Sequence, residues 1–320
     1  MQKQKVAVVL LNLGGPTAPA EVEPFLFSMF SDKHIMDYPK PVRLLLAKVI
    51  SKLRARKSQK IYEHLAGKSP ILQETEQQAL SLERRLCGDA TREYKVFVSM
   101  RHSKPHSQNV LDVIYSWSPE IVVLLPLYPQ YASVTTQSSI ENWYSSMHRS
   151  GYMLFTDIIW HFFNHPKYIE SQCKLILDKY KLAQKTGRAP RVLFSAHGLP
   201  CSFIENGDPY NQHILHAAEL IVKKMGLPAL DYSVCYQSRV GPVKWLGPST
   251  ESELLRAKRD EVPVVVVPLS FVAENSETLV ELDIEYKVLV EENMFYRVPT
   301  PGTEESFIEC LADLVFKKVM

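Results

Sequence analysis

The sequence predicts an α/β protein of two similar doubly wound lobes, each a four-stranded parallel sheet flanked by helices, with the active cleft between them. Three observations predict it. At 320 residues the chain is long enough for about two domains. Short apolar runs alternate with long amphipathic stretches, the pattern of parallel strands joined by crossover helices. Four such runs fall before about residue 160 and four after it.

The first run is 5–11, followed at once by Asn12-Leu13-Gly14-Gly15-Pro16. It is too short and too abruptly ended for a signal peptide, and it reads as a buried strand. No stretch of about 18 apolar residues occurs anywhere, so no membrane-spanning helix is expected. Runs at 95–100, 121–127 and 153–158 complete the first set. Gly187-Arg188-Ala189-Pro190 precedes the second set, at 191–196, 231–236, 264–271 and 296–298. Most runs lack clean alternation, as strands do when both faces are covered. The expected division is 1–160 for an N-terminal lobe, 161–303 for a C-terminal lobe, and a helix over 304–320 that packs back on the first. Ligands in open α/β sheets sit beyond the carboxyl ends of strands. The turn-rich clusters at 11–16, 127–131, 194–200 and 270–277 stand at such ends.

Lys and Arg number 37 against 35 Asp and Glu, a net charge of +2 with no overall field to attract nucleic acid. Cys87, Cys173, Cys201, Cys235 and Cys310 are widely spaced and form no CxxC. That is the usage of a reduced, intracellular protein, here expected to be cytoplasmic, and not of a disulfide scaffold. GxGxxG is absent, and Gly67-Lys68-Ser69 lacks a phosphate loop's first glycine, since Tyr62 stands in its place.

Five features invite a chemical reading. His197 follows the 191–196 run, at a carboxyl end. His161 and His165 are spaced for a helical metal pair, although Pro166 makes an ordinary helix start the better account. Glu277, Glu281 and Glu285 recur every four residues, with Glu274 and Asp283 nearby. On an α-helix they make one acidic stripe, either a solvated face or a path for metal ions or protons. Residues 38–62 carry eight basic side chains and no acid, with Val42, Leu45, Leu46, Val49 and Leu53 at helical spacing. Such a helix can lie on an anionic membrane, hold a carboxylate-bearing apolar ligand, or simply pack on its own core. Tyr62, Tyr128, Tyr131, Tyr236, Trp245 and Phe271 gather near the proposed strand ends, where together they could wall a pocket for a large flat ligand.

These pieces resemble the ferrochelatase family over nearly the whole chain. The motifs are Leu11-Asn12-Leu13-Gly14-Gly15-Pro16, Tyr62 through Ser69-Pro70, Met100-Arg101 with Pro105, and Pro126-Leu127-Tyr128-Pro129-Gln130-Tyr131 with Thr135-Thr136. Ser195-Ala196-His197-Gly198-Leu199-Pro200, Cys235 through Pro242 with Trp245, and Glu277-Thr278-Leu279 with Glu281 through Tyr286 complete them. Each is weak alone, and their order and spacing together are specific.

The resemblance implies insertion of Fe²⁺ into protoporphyrin IX, with release of two protons, as the last step of haem synthesis. It implies that His197 and Glu277 are the catalytic and metal-binding pair and that Glu281 and Glu285 conduct metal or protons. It implies porphyrin contacts at Leu13, Arg54, Tyr62, Ser69, Arg101, Tyr128, Trp245 and Phe271, and a pocket lip at about 25–57 that touches the membrane in some members. Many members carry a histidine where this chain has Asn275, which shifts the weight onto His197 and Glu277. Fe²⁺ is a substrate. No permanently bound cofactor and no iron–sulfur cluster are expected, because the chain has no cysteine cluster near its end. The alternatives are Fe²⁺ insertion into coproporphyrin III, insertion of another divalent metal, and a porphyrin carrier without catalysis. Porphyrin and Fe²⁺ are the expected partners, with peripheral membrane contact through 38–62.

Overall fold

The computed structural model describes residues 3–319. They fall into two compact units, one running to His161 and resuming at Leu311, the other Phe162–Cys310. In the first unit, strands β1 (Gln4–Asn12), β2 (Arg92–Met100), β3 (Ile121–Pro126) and β4 (Thr156–Ile158) form a sheet of order β2-β1-β3-β4. Its helices are α1 (Val22–Phe30), α2 (Lys40–Glu63), α3 (Ile71–Leu86), α4 (Ser107–Trp117) and α5 (Ser138–Ser150). In the second unit β5 (Arg191–His197), β6 (Tyr232–Gln237), β7 (Val264–Pro268) and β8 (Phe295–Arg297) repeat the arrangement as β6-β5-β7-β8. Helices α6 (Pro166–Gln184), α7 (Cys201–Glu205), α8 (Tyr210–Met225) and α9 (Thr250–Arg259) belong to it. Every strand pairing is parallel.

Burial on both faces explains the unbroken apolar runs. Ala7, Val9 and Leu11 pack with Val122, Leu124, Leu111 and Trp143, while Val6, Val8 and Leu10 on the opposite face are equally shut from solvent. Leu193, Val264 and Val266 do the same in the second unit with Leu254, Leu282 and Phe295. In each sheet the order reverses beside its first strand. The switch points are therefore the carboxyl ends of β1 with β3, and of β5 with β7, where such folds hold ligands.

Several boundaries differ from the sequence expectation. β4 begins at Thr156, because Met153 and Phe155 lie in the connection from α5 and are 92% and 71% exposed. β7 stops at Pro268, and Phe271 lies beyond it in a turn closed by its N–H on the Pro268 carbonyl. The last helix, α10 (Glu305–Val319), crosses the unit boundary between Cys310 and Leu311. Its final turns attach to the first sheet: Phe316 meets Tyr94 edge-on at 6.1 Å, and Lys318 pairs with Asp157 at 2.9 Å.

α2 decides against one of the three readings left open for its apolar face. Its buried side is the small-residue stripe Ala47, Ser51 and Ala55. Val42, Leu45, Val49 and Leu53 face solvent, Leu45 and Leu53 at 65% and 76% exposure. Small side chains allow a neighbouring helix close approach, so the inward face needs no large apolar residues. The apolar face therefore does not pack on its own core.

Candidate active site

His197 is the last residue of β5, not the first of a loop. Its backbone N–H donates to Ser270 Oγ at 2.9 Å, and its carbonyl accepts from the Tyr210 hydroxyl at 2.9 Å. Burial raises the Tyr210 phenol, so it stays protonated and donates. The imidazole is half-buried, edge-on to Phe271 with centroids 6.3 Å apart. Gly198 must be glycine: a Cβ there would lie 2.8 Å from the Gln237 carbonyl, which its own N–H contacts at 2.9 Å.

Beyond β7 the chain enters a ten-residue π-helix, Glu277–Tyr286. Such i→i+5 helices are mostly single turns and often mark functional sites. The four-residue spacing of the acids suggested an ordinary α-helix. The cap is a residue that sequence reasoning valued only as a missing histidine. Asn275, 6% exposed, accepts on Oδ1 from the N–H groups of Glu277 at 2.8 Å and Thr278 at 3.2 Å. Its Nδ2 donates to the Ala273 carbonyl at 3.1 Å. Ser276 Oγ donates to Glu277 Oε2 at 2.8 Å and so aims that carboxylate.

The five acids divide. Arg297 pairs with Glu274 at 3.0 Å and Asp283 at 2.7 Å, so these two are neutralised and do not extend a free acidic stripe. Glu281 is clamped: Gln237 Nε2 donates at 2.9 Å, Ser238 N at 2.7 Å and Tyr286 OH at 3.0 Å, and the Ser238 hydroxyl adds a fourth bond. Ser238 reaches the carboxylate with both donors because it adopts φ +63, which costs strain in any residue but glycine. Burial, then the Glu281 charge, raises the Tyr286 phenol. Glu285 is exposed. A cavity of about 430 Å³ in the second unit brings Glu281 and Glu285 together with Trp245, Tyr286, Arg239 and Glu251. The Trp245 indole N–H is buried and has no hydrogen-bond partner among the described residues.

In the first unit, Gly14, two residues beyond β1, takes φ +88, and a Cβ there would strike Ser103 Oγ at 2.3 Å. The half-buried Leu13 follows β1, and its carbonyl accepts from His102 N at 3.0 Å. Ser69 is buried, its N–H on the Pro16 carbonyl at 2.8 Å. Arg101 gives Nη2 to Asp32 at 2.6 Å and Nε to Ser138 at 2.7 Å. Burial works against ionising Asp32, and Arg101, Ser138 and the His34 N–H outweigh it, holding the carboxyl below its ordinary value. Tyr128, beyond β3, is raised by burial and lies 3.3 Å from Ser139 Oγ. Arg54 stacks over Phe30 at 5.7 Å. Two aromatics are not free walls. Tyr62 packs with Val22, Phe25 and Leu26, and Tyr236, 2% exposed, gives its hydroxyl to Asn211.

His165 caps α6 and His161 precedes it, so no helical metal pair forms. Among the described residues no three His, Cys, Asp or Glu side chains are grouped to hold a metal ion. Burial pushes the Cys173 and Cys235 thiols up to about 12, so both stay protonated.

The ferrochelatase profile matches residues 5–319. The ferrochelatase of Wolbachia sp. subsp. Drosophila simulans (strain wRi) is 52% identical over 310 residues, covering 97% of this chain and 98% of that protein. The ferrochelatase of Rickettsia felis is 43% identical over 317 residues, covering 98% and 90%. SirB from Bacillus subtilis with Fe³⁺ superposes with a TM-score of 0.55 at 13% identity, covering 98% of this chain and 95% of that one. CbiX, the terminal enzyme of sirohaem biosynthesis in denitrifying bacteria, gives 0.54 at 12%, covering 98% and 99%. At such identities the two structures speak for the fold alone. The matched profile and the close relatives together place the chain in the ferrochelatase family, the lyases that insert Fe²⁺ into a porphyrin in haem synthesis.

Proposed function

We propose that His197 and Glu277 carry the insertion step and that the porphyrin is protoporphyrin IX. The observation that supports the pair is their common neighbour. His197 lies beside Gln237 in the β5–β6 register, and the Glu277 carbonyl accepts from the Gln237 amide at 3.1 Å. Both residues therefore stand at the carboxyl edge of the second sheet.

Insertion exchanges two pyrrole N–H protons for one Fe²⁺, so the site must accept two protons and present one metal ion. Imidazole takes and gives protons near neutral pH. A carboxylate aimed by Ser276 can take a proton or hold Fe²⁺ before transfer. Nitrogen and oxygen donors suit Fe²⁺ without the grip of a thiolate set. Glu285 and the solvent-open cavity around it offer a route for protons or metal. Glu281 borders that route as a fixed charge, since its four donors restrain it. Leu13, Arg54, Tyr62, Ser69, Arg101, Tyr128, Trp245 and Phe271 make up the proposed porphyrin-binding set. In it Arg54 and Arg101 are the propionate anchors, Arg101 through Nη1, because Asp32 and Ser138 take its other edge.

The exposed apolar face of α2 supports protoporphyrin, with two propionates, over coproporphyrin III, with four. The same face, flanked by Lys48, Lys52 and Arg56, suits peripheral contact with the anionic cytoplasmic leaflet. Among the described residues no helix is long and apolar enough to cross a membrane.

The test is anaerobic insertion followed by absorbance, with porphyrin binding followed by fluorescence. His197→Ala and Glu277→Gln are each expected to lower turnover by about 100-fold or more while porphyrin still binds. Near-normal turnover in either variant removes that residue from its assigned role. Offering both porphyrins to the wild-type enzyme decides the substrate: faster turnover of coproporphyrin III would overturn that choice.

A further inference from the structure

We infer that Gln237 is the positioning residue of the insertion site: its buried amide sets the separation of His197 from Glu277. This rests on the proposal that those two residues react.

Gln237 is the last residue of β6 and is completely shut from solvent. Its side chain binds two different elements at once. Oε1 accepts from Ser195 Oγ at 2.8 Å, on β5 two residues before His197. The Ser195 hydroxyl lies 2.7 Å from that of Thr250 at the start of α9, so the tie is anchored behind the strand as well. Nε2 donates to the Glu277 carbonyl at 3.1 Å and to Glu281 Oε2 at 2.9 Å, on the π-helix. The Gln237 backbone carbonyl meanwhile accepts the Gly198 N–H at 2.9 Å, fixing the residue that follows His197.

The chemistry required at this point is one acceptor and two donors on a side chain of this length. A primary amide supplies them, and no other side chain of that size and shape does. Glutamate would oppose a second carboxylate to Glu281 and the Glu277 carbonyl. Methionine would fill the volume and leave the partners unpaired in a buried place, where an unmade bond is costly. A long π-helix is a rare backbone state. An external tie at its first residue is what keeps the Glu277 end in register with β5. Reacting groups lose rate steeply when displaced by about an ångström.

The experiment compares wild type, Gln237→Met, Glu277→Gln and the double variant, measuring kcat, KM for Fe²⁺, porphyrin affinity and melting temperature. Gln237→Met is expected to lower kcat about 10- to 100-fold with porphyrin affinity nearly unchanged. In the Glu277→Gln background the same change should cost less than about twofold, because its effect runs through Glu277. A merely structural role would cost the same in both backgrounds, and that result would overturn the inference. So would a Gln237→Met enzyme turning over within about twofold of wild type. Should Gln237→Met fail to fold, Gln237→Leu, which removes the same bonds without adding a charge, carries the same thresholds. A fully active Glu277→Gln overturns both the reacting pair and this inference. An inactive Glu277→Gln beside a normal Gln237→Met overturns this inference alone.

Discussion

His102 lies two residues beyond β2 with its ring edge-on to Phe25 at 6.5 Å and its Nδ1 3.1 Å from Ser28 Oγ. Burial, with the Arg101 charge next to it, pushes the imidazole from 6.5 down to about 3, against the pull of Asp32 at 3.9 Å. The native residue is therefore neutral, and Asp32 is left to Arg101. Between about 6.5 and 3 the unfolded chain holds a proton that the native state lacks. Stability accordingly falls as pH drops through that window. His102→Phe removes the group, and its melting temperature should fall less steeply with acid over that range. An equal slope in both proteins would contradict the assignment. In sequence His102 and His197 look alike, since each stands at the end of a strand run. Their burial separates them: His102 is 2% exposed and silent, whereas His197 is half-buried.

At the scale of elements, α2 shows how periodicity can identify a face without saying where it points. The apolar positions in 38–62 do share one side of a helix, and so do Ala47, Ser51 and Ala55. The smaller side chains went inward, leaving Leu45 and Leu53 among the most exposed apolar residues. Changing both to Ser should weaken sedimentation with anionic liposomes at least severalfold and leave stability within about 0.5 kcal/mol, since neither side chain is buried. Unchanged partitioning would count against the membrane surface. Leu46 is half-buried and is left intact, so that packing and docking are not confounded. The acidic segment teaches a related lesson. A spacing of four is compatible with an α-helix and a π-helix alike. Two contacts that the spacing does not record accompany the π-helix: Asn275 caps its first N–H groups, and Gln237 holds its first carbonyl from 40 residues away.

For the whole molecule, the repeated order β2-β1-β3-β4 and β6-β5-β7-β8 places the carboxyl ends of the inner strands at each switch point. The cores beneath hold those ends still. Phe194, completely buried in β5 and edge-on to Tyr232 at 6.0 Å, should cost about 3–5 kcal/mol when changed to Ala, measured by urea denaturation followed in parallel by circular dichroism and fluorescence. A loss under about 1 kcal/mol would show that the sheet's centre repacks. All eight strands among the described residues were legible from apolar runs, most plainly the inner β1, β3, β5 and β7, because burying both faces of a parallel sheet leaves a mark at nearly every position. Strand ends were legible to within three residues, since the ladder stops where neighbours stop. The fold class, the ferrochelatase resemblance and the candidates His197 and Glu277 needed nothing beyond residue order and spacing. The fates of Glu274, Asp283 and Glu281, the outward face of α2, the neutrality of His102 and the links made by Gln237 needed the folded chain. Each depends on a partner more than a helix or strand away in sequence, and local pattern carries no record of which distant donor, charge or small side chain will arrive beside it.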